Sequence, residues 1–502
     1  MSGNMDFVKI KKTLHDRGIC VIIPTYNNCS TICNIVEDVK QYSDDVIVVN
    51  DGSTDNTRLL LNQVADITVI DYTANKGKGY ALKTGFQKAL QMGYAYAITL
   101  DSDGQHFAKD ILAFLHANEK YPGTLIVGER NLGGIERSTG SGFANKFSNF
   151  WFFVQTGCNL KDTQTGYRLY PLRKLVGLSI LPSRYEAELM LMVMASWHGV
   201  RLRSIPIDVY YPPKEERVSH FRPLKDFGRI SVLNTILCAL TVVYALPLRL
   251  LRWFLQMLRT IYAILFFVFF SLFTVTPLVW LYVKVGKMTE KKRISLHKLI
   301  YHLARAVMLH HGVPGTKFSY SIADGVDFNK PQLIICNHQS HLDLMCQLIF
   351  TPKIIFLTND WVWNSPFYGF LIRSAEYLPV SRGIDALLPQ LEELVTRGYS
   401  IAVYPEGTRS KDCSIGRFHQ GAFFIADKLG LDILPMTIYG AGMVLPKKGR
   451  CLHKGLIHID VQKALTKSML STLGGSKAKA SFFRSYYKEK YYEIKCQIDK
   501  NA

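Results

Sequence analysis

The chain has 502 residues, 48% hydrophobic and 20% charged, which excludes a disordered polymer and asks for two or more domains. Its formal net charge of +20 points to an anionic partner: anionic lipid, nucleic acid, or an acidic protein or cofactor. Ten cysteines occur without a C-x-x-C pair, and several, such as Cys238 and Cys336, lie in apolar runs, a pattern of buried thiols in a reducing compartment.

Met1 to Gly18 lacks the apolar core of a signal peptide, so the first domain is expected in the cytoplasm. Ile19–Pro24, Asp45–Asn50, Ile67–Asp71 and Tyr96–Leu100 read as buried strands with helical stretches between them. That rhythm predicts an α/β domain with a mostly parallel sheet, whose ligands bind beyond the carboxyl ends of the strands. Asp51 and Asp101 both fall at that edge.

Ser231–Leu248 and Ile261–Val283 are apolar, and the second is rich in phenylalanine (Phe266, Phe267, Phe269, Phe270, Phe273). Its length suits a bilayer core. Between the two, Arg249, Arg252, Gln256 and Arg259 form a polar stripe at helical spacing, expected to face lipid headgroups from an interfacial helix. Lys284, Lys287, Lys291, Lys292 and Arg293 follow. Positive residues prefer the cytoplasmic side. Flanking both segments with them predicts that at least the first is interfacial or re-entrant. After Asp324 a second α/β rhythm begins: a strand at Leu333–Cys336, a helix at Leu342–Phe350, and strands at Ser400–Tyr404 and 432–439. Ser481–Asn501 reads as a basic, aromatic amphipathic helix. No nucleic-acid motif accompanies it, so no nucleic-acid partner is expected. The organisation is therefore two α/β domains, 1–230 and 291–502, joined by membrane-embedded or interfacial helices over 231–290.

Asp101-Ser102-Asp103 places two carboxylates after a strand, able to hold one hard cation or simply to bond within their own turn. Around it stand Val21-Ile22-Ile23-Pro24-Thr25-Tyr26-Asn27, Asn50-Asp51-Gly52-Ser53-Thr54-Asp55, Asn75-Lys76-Gly77-Lys78-Gly79, Gly128-Glu129-Arg130, Asp162-Thr163-Gln164-Thr165-Gly166-Tyr167-Arg168 and Arg184-Tyr185-Glu186-Ala187-Glu188. Together, over about residues 19–230, they resemble family 2 glycosyltransferases of the dolichyl-phosphate mannose synthase-like branch. The resemblance implies a Rossmann-like nucleotide-sugar domain. Pro24, Tyr26 and Asp51 would line the nucleotide pocket, and Lys78 would face the pyrophosphate. Asp101 and Asp103, with Gln105 as a third ligand, would hold Mg²⁺ or Mn²⁺. Arg130 and Arg168 would clamp phosphate on the donor or on a lipid-phosphate acceptor. Asn28 stands where the family often has Glu, which leaves nucleotide choice open. A phosphate acceptor needs no general base; for a hydroxyl acceptor Glu186 is the candidate. Inversion at the anomeric carbon is implied.

Asn337-His338-Gln339-Ser340-His341-Leu342-Asp343 follows the second domain's first strand. His338 and Asp343 meet only if His338 lies in the strand-to-helix turn. There Asp343 could orient the imidazole as a base toward a hydroxyl. Ser340 and Asp343 read equally well as a helix start. Tyr404-Pro405-Glu406-Gly407-Thr408-Arg409-Ser410 leaves another strand, with a glycine that lets backbone N–H groups approach an anion and an arginine fork. With Phe418-His419-Gln420-Gly421-Ala422-Phe423 and Leu434-Pro435-Met436, these motifs resemble the glycerol-phosphate and lysophospholipid acyltransferase family over about residues 295–465. Tyr377-Leu378-Pro379-Val380-Ser381-Arg382 resembles its intermediate motif without the leading glycine. The resemblance implies His338, Asp343 and Glu406 as catalytic residues. It implies Arg382, Gly407, Thr408 and Arg409 as substrate-binding residues. The acyl group would come from acyl-CoA or acyl-carrier protein, with no cofactor.

The combined expectation is a bifunctional enzyme on the cytoplasmic membrane, both domains facing the cytoplasm, with a nucleotide-sugar and a lipid acceptor as partners. Similar fusions are associated with bacterial glycolipid or aryl-polyene pigment assembly. The alternatives are a chain with one active domain and one anchor, and a non-enzymatic lipid-binding scaffold.

Overall fold

The computed structural model describes residues 6–131, 139–178, 184, 186–210, 223–269, 273, 276–311, 313–365, 369–449 and 451–501; Tyr185 and Phe270 lie outside them. The chain forms two compact units, 1–251 and 252–501.

In the first unit the strands are β1 (Ile19–Thr25), β2 (Val46–Asn50), β3 (Thr68–Asp71), β4 (Tyr96–Thr99), β5 (Thr124–Arg130), β6 (Arg168–Pro171) and β7 (Arg201–Ile207). Their order is β3-β2-β1-β4-β6-β5-β7. β3, β2, β1 and β4 run parallel, and β6 is antiparallel to both β4 and β5. The Val/Ile runs of β1 and β2 are buried throughout, as a sheet covered on both faces requires. Alternation divides them. Cys20, Ile22, Ile47 and Val49 enter the core on one face, and Val21, Ile23, Val46 and Val48 the core on the other. The helix Ile32–Tyr42 buries Ile32, Ile35, Val36 and Val39, one stripe at helical spacing.

In the second unit the strands are β8 (Thr316–Ile322), β9 (Leu333–Cys336), β10 (Ile354–Thr358), β11 (Leu378–Pro379), β12 (Ser400–Val403), β13 (Ile433–Tyr439) and β14 (Gly455–Val461), in the order β11-β10-β12-β9-β13-β14-β8. β11, β10, β12, β9 and β13 are parallel; β14 turns antiparallel to β13. β8 lies before the residue at which the second rhythm was expected to start. Its mixed exposure carries no buried run to read. The C-terminal helix, Ser476–Asn501, belongs to this core: Phe483 and Tyr487 are fully buried. The Tyr487 hydroxyl donates to the Ile335 carbonyl (2.6 Å) and accepts from Met436 N–H (3.1 Å), bracing β9 against β13.

Gly228–Val268 is long and apolar enough to cross a membrane by length and composition. Part of it packs on the first unit, where Leu233 and Leu237 are buried and Gln155 donates to Asn234 Oδ1 (3.0 Å). Of the polar stripe, Arg252 is exposed, whereas the other three residues meet protein rather than facing outward as expected. Arg249 donates to the Thr156 carbonyl (2.7 Å) within the first unit. Within the second, Gln256 bonds the His453 ring (3.2 Å) and Arg259 lies against Gly315. Leu250, Leu251, Trp253, Phe254, Leu258, Ile261 and Leu265 are among the exposed residues. The physical reason is that donors on a half-buried helix gain more from fixed carbonyl and ring acceptors than the large apolar side chains gain from a polar protein surface.

Candidate active sites

The first site sits at the carboxyl edge of β1, β2 and β4. Asp51 follows β2 directly, and its backbone N–H donates to Thr25 O (2.9 Å). Its two carboxylate oxygens accept from the amides of Lys76 (2.8 Å) and Gly77 (2.7 Å), so Asp51 holds the 75–79 loop. Burial raises the Asp51 pKa, and those two amides work against the rise. Gly52 makes this possible: its φ is +70°, and a Cβ there would overlap the Ala74 backbone. Pro24 lies buried in β1 opposite Val49, and Tyr26 is half-buried just beyond the strand. Asn28, the departure from the family pattern, is buried and donates to Ser102 Oγ (2.6 Å), tying the first loop to the Asp101–Asp103 turn.

Lys78, at the start of the helix Lys78–Gln91, is the hub of a buried charge network. Its Nζ lies 2.7 Å from Asp101 Oδ1 and 2.9 Å from Glu188 Oε2. Glu188 Oε1 in turn lies 3.5 Å from Arg168 Nη1. Burial opposes the charge on Lys78, but Asp101 and Glu188 outweigh it and raise its pKa. Asp103 accepts from the Gln105 amide (3.1 Å). Burial, then the neighbouring Asp101 charge, pushes the Asp103 carboxyl up to about 6. Asp101 and Asp103 bring two carboxylates to this turn, with Asp101 Oδ1 ion-paired to Lys78; carboxylate oxygens are the hard donors that a divalent cation takes. Among the described residues, no group of three or more His, Cys, Asp or Glu is gathered as a metal cluster.

Arg168 differs from its expected place. Its side chain is 1% exposed. The guanidinium donates to the Tyr170 hydroxyl (3.1 Å), the Thr163 carbonyl (3.0 Å) and the Glu188 carbonyl (3.4 Å), so it is enclosed rather than open to a substrate phosphate. Arg130 forks onto Asp162, Nε to Oδ2 at 2.6 Å and Nη2 to Oδ1 at 3.0 Å. Glu186 heads the helix Glu186–Trp197 with no hydrogen bond or ion pair among the described residues; Glu188 is the carboxylate that reaches the site. Both were visible as R-Y-E-A-E, but only packing decides which one points inward. Gly166 was a second overlooked residue: a Cβ there would strike the Asp101 carboxylate.

The second site lies at the carboxyl edge of β9 and β12. His338 sits in the turn after β9, with Nδ1 2.8 Å from Asp343 Oδ2. The same Oδ2 accepts from the amides of Gln339 (2.6 Å) and Ser340 (2.8 Å), and Asp343 is fully buried. The helix begins at Asp343 with Leu342 as its cap residue. The Ser340 hydroxyl donates to Leu445 O (2.9 Å) and accepts from Leu342 N–H (3.3 Å), so the turn keeps helix-start contacts while the His338–Asp343 contact is also formed. The His338 ring stacks on Tyr404 (centroids 4.2 Å, 21°) and stays 22% exposed, open on one side.

Glu406 is a brace. Oε1 accepts from His338 N–H (2.9 Å) and Oε2 from Gly416 N–H (2.9 Å), and burial raises its pKa. Ser410 N–H donates to His338 O (2.7 Å), so the loop is fastened to His338 at two points. Gly407 takes φ +65° between them. The Arg409 guanidinium carries no hydrogen bond or ion pair among the described residues. Arg382, after β11, stacks over the Trp363 ring at 5.1 Å. Lys447, which no motif contained, donates to Thr408 Oγ1 (2.9 Å) and Arg409 O (2.6 Å).

Comparison with known proteins finds a family match in each unit. The family model Glycosyl transferase family 2 matches residues 20–170, and the family model Acyltransferase matches residues 317–439. Polyprenol monophosphomannose synthase of Mycolicibacterium smegmatis is 31% identical over 204 residues, 37% of this chain and 75% of that protein. UDP-N-acetylglucosamine–dolichyl-phosphate N-acetylglucosaminyltransferase of Methanococcus voltae is 28% identical over 219 residues, 39% of this chain and 87% of that protein. A chloroplastic 1-acyl-sn-glycerol-3-phosphate acyltransferase of Arabidopsis thaliana is 30% identical over 149 residues, 28% of this chain; the chain spans 42% of that relative's length. The chain belongs to glycosyl transferase family 2 through its first unit and carries an acyltransferase-family domain in its second.

Proposed function

We propose that this chain is a bifunctional, membrane-associated transferase of bacterial glycolipid or lipid-pigment assembly, working at the cytoplasmic leaflet. Its first unit moves a sugar from a nucleotide-sugar to a lipid-linked acceptor, and its second moves an acyl group from acyl-CoA or acyl-carrier protein to a hydroxyl. The observation that carries this reading is that each unit assembles its own reacting groups at the carboxyl edge of its parallel strands. These are Asp101, Asp103 and Lys78 in one, and His338 with Asp343 in the other.

In the first unit, Asp101, Asp103 and Gln105 hold Mg²⁺ or Mn²⁺, which when bound neutralises the departing diphosphate. Lys78 presents its charge to the same pyrophosphate, with Glu188 and Arg168 as positioning residues behind it. Pro24 and Tyr26 line the nucleotide pocket, and Asp51 keeps its loop in place. Glu188 is committed to two cations and Glu186 stands outside the network. A polyprenyl phosphate, already anionic, needs no general base, whereas a hydroxyl acceptor does. The relatives named as a dolichyl-phosphate N-acetylglucosaminyltransferase and a polyprenol monophosphomannose synthase support the phosphate acceptor.

In the second unit, the free side of the His338 ring takes the proton from the acceptor hydroxyl as its oxygen attacks the thioester. Asp343 holds Nδ1 and stabilises the imidazolium. The C–S bond breaks and the thiol leaves with the proton. Glu406 is a positioning residue, and Arg409 and Arg382 attract the anionic parts of the substrates. The exposed apolar side of residues 250–265 faces lipid.

The test is a pair of variants of the full-length protein in nanodiscs, assayed separately for sugar transfer to polyprenyl phosphate and for acyl transfer. Asp103→Ala should abolish the first and spare the second; His338→Ala should do the reverse. Acyl transfer retained in folded His338→Ala removes the acyltransferase half of the reading. Sugar transfer retained in Asp103→Ala removes the other half.

A further inference from the structure

The loop that carries Thr408 and Arg409 is fastened to the His338 backbone on both sides, by Glu406 and by Ser410. Whatever those two residues bind is therefore held beside the reacting imidazole. Lys447 reaches this loop from 38 residues further along the chain. Its ammonium is half-buried and donates to two neutral acceptors, Thr408 Oγ1 at 2.9 Å and Arg409 O at 2.6 Å. No carboxylate pairs with it among the described residues. Asp412, the acid on the following turn, accepts instead from Ser410 (3.2 Å) and Ser414 (2.6 Å).

An ammonium that donates to two neutral acceptors has a third N–H to give. Because Lys447 occupies a lone pair of Thr408 Oγ1, the Thr408 proton points away from it and is available to an anion. Arg409 adds a guanidinium with no ion pair among the described residues. A hydroxyl and a guanidinium on the fastened loop, with the Lys447 ammonium bonded to it from a separate segment, match a phosphomonoester dianion, which accepts several charge-assisted hydrogen bonds at once.

We propose that Lys447 is the second cation of a phosphomonoester site formed with Thr408 and Arg409, and that it sets the preference of the second unit for a phosphate-bearing substrate. This rests on the acyltransferase reading of that unit. The phosphate belongs either to a lysolipid acceptor or to the ribose 3′-phosphate of a CoA donor; an acyl-carrier protein donor leaves only the acceptor.

The experiment uses full-length wild type, Lys447→Met and Lys447→Arg in nanodiscs. Calorimetry gives the affinity for glycerol 3-phosphate against glycerol, and for CoA against 3′-dephospho-CoA. Kinetics compare a phosphomonoester lysolipid with a monoacylglycerol, and acyl-CoA with acyl-3′-dephospho-CoA. Lys447→Met should weaken one phosphate-bearing partner roughly tenfold to a hundredfold and its phosphate-free analogue less than threefold, with Lys447→Arg recovering most of the loss. Which pair shows the effect identifies the source. Unchanged affinity for both phosphate-bearing partners, or equal losses with and without phosphate, overturns the proposal. Absence of acyl transfer in the wild type would sink the acyltransferase reading, while the calorimetric arms would still test the anion site.

Discussion

Asp343→Asn separates two things that the aspartate does at once. One carboxylate oxygen, Oδ2, accepts from His338 Nδ1 and from the Gln339 and Ser340 amides, whereas Oδ1 is buried without a partner. The asparagine oxygen must occupy the Oδ2 position, because an NH₂ there would face two backbone N–H groups. The imidazole then keeps its tautomer, and what disappears is the negative charge beside it. A unit charge about 4 Å from the imidazolium centre is worth roughly 4 kcal/mol at an effective dielectric of about 20, or about 10³-fold in rate. The amide dipole and the partial exposure of His338 return some of that. The expected loss in kcat for acyl transfer is thus roughly 10²- to 10³-fold, with acceptor KM little changed. The new NH₂ group, buried where Oδ1 has no partner, should also cost about 1–3 kcal/mol of stability. Steady-state kinetics and urea denaturation of the full-length protein measure the two effects. A folded Asp343→Asn enzyme with activity within threefold of wild type would show that the carboxylate serves only to clamp the turn, and the catalytic role of the pair would be withdrawn.

Glu188→Gln should destabilise the first unit by roughly 3–5 kcal/mol, because it leaves the enclosed Arg168 without its carboxylate. Glu186→Gln should stay within about 0.5 kcal/mol and leave sugar transfer to a phosphate acceptor intact; thermal melting and transfer assays of the two variants compare them. Gly52→Ala forces a Cβ into the Ala74 backbone at φ +70° and should raise the KM for nucleotide-sugar, read in initial-rate assays, through loss of the Asp51 grip on the 75–79 loop. Burial lowers the His297 pKa to about 4, below its ordinary 6.5, so the unfolded chain binds the extra proton between those values. The stability this neutral histidine contributes is fully present above about pH 6.5 and is lost as pH falls toward 4, by up to about 3 kcal/mol. Urea melts at pH 7 and pH 5 should show His297→Phe losing less stability over that interval than wild type; equal losses would refute the assignment.

Where a signal was local, it was legible in the chain. The Val/Ile runs of β1, β2, β9 and β13 and the placement of Asp51, Asp101, His338 and Glu406 just beyond strands follow from short-range pattern, and the structure places them so. The strands not read include β8 and β7, which alternate without a buried run, and β6, which enters the sheet antiparallel from far along the chain; β5 and β10 carry buried apolar runs and, like β14, were not read either. The polar stripe over residues 249–259 was plain in its spacing. Periodicity says that a helix has two sides; it does not say which one meets protein.

Glu186 and Glu188 show the same limit within a site. Two residues apart on a helix, they are separated by roughly 200° around its axis, so one can join Lys78 and Arg168 while the other does not. The choice is made by how the helix packs on the sheet. Likewise the sequence by itself determined that His338 and Asp343 could meet, and that an arginine-bearing loop followed a neighbouring strand. Only the tertiary structure decided that Asp343 takes the imidazole and two amides on a single oxygen, that Glu406 binds backbone, that Arg168 is enclosed, and that Lys447 stands beside Arg409. Hydrophobic periodicity and strand-end placement are written in neighbouring residues. The partner of a charge is settled by which distant segments the folded cores bring within about 3 Å.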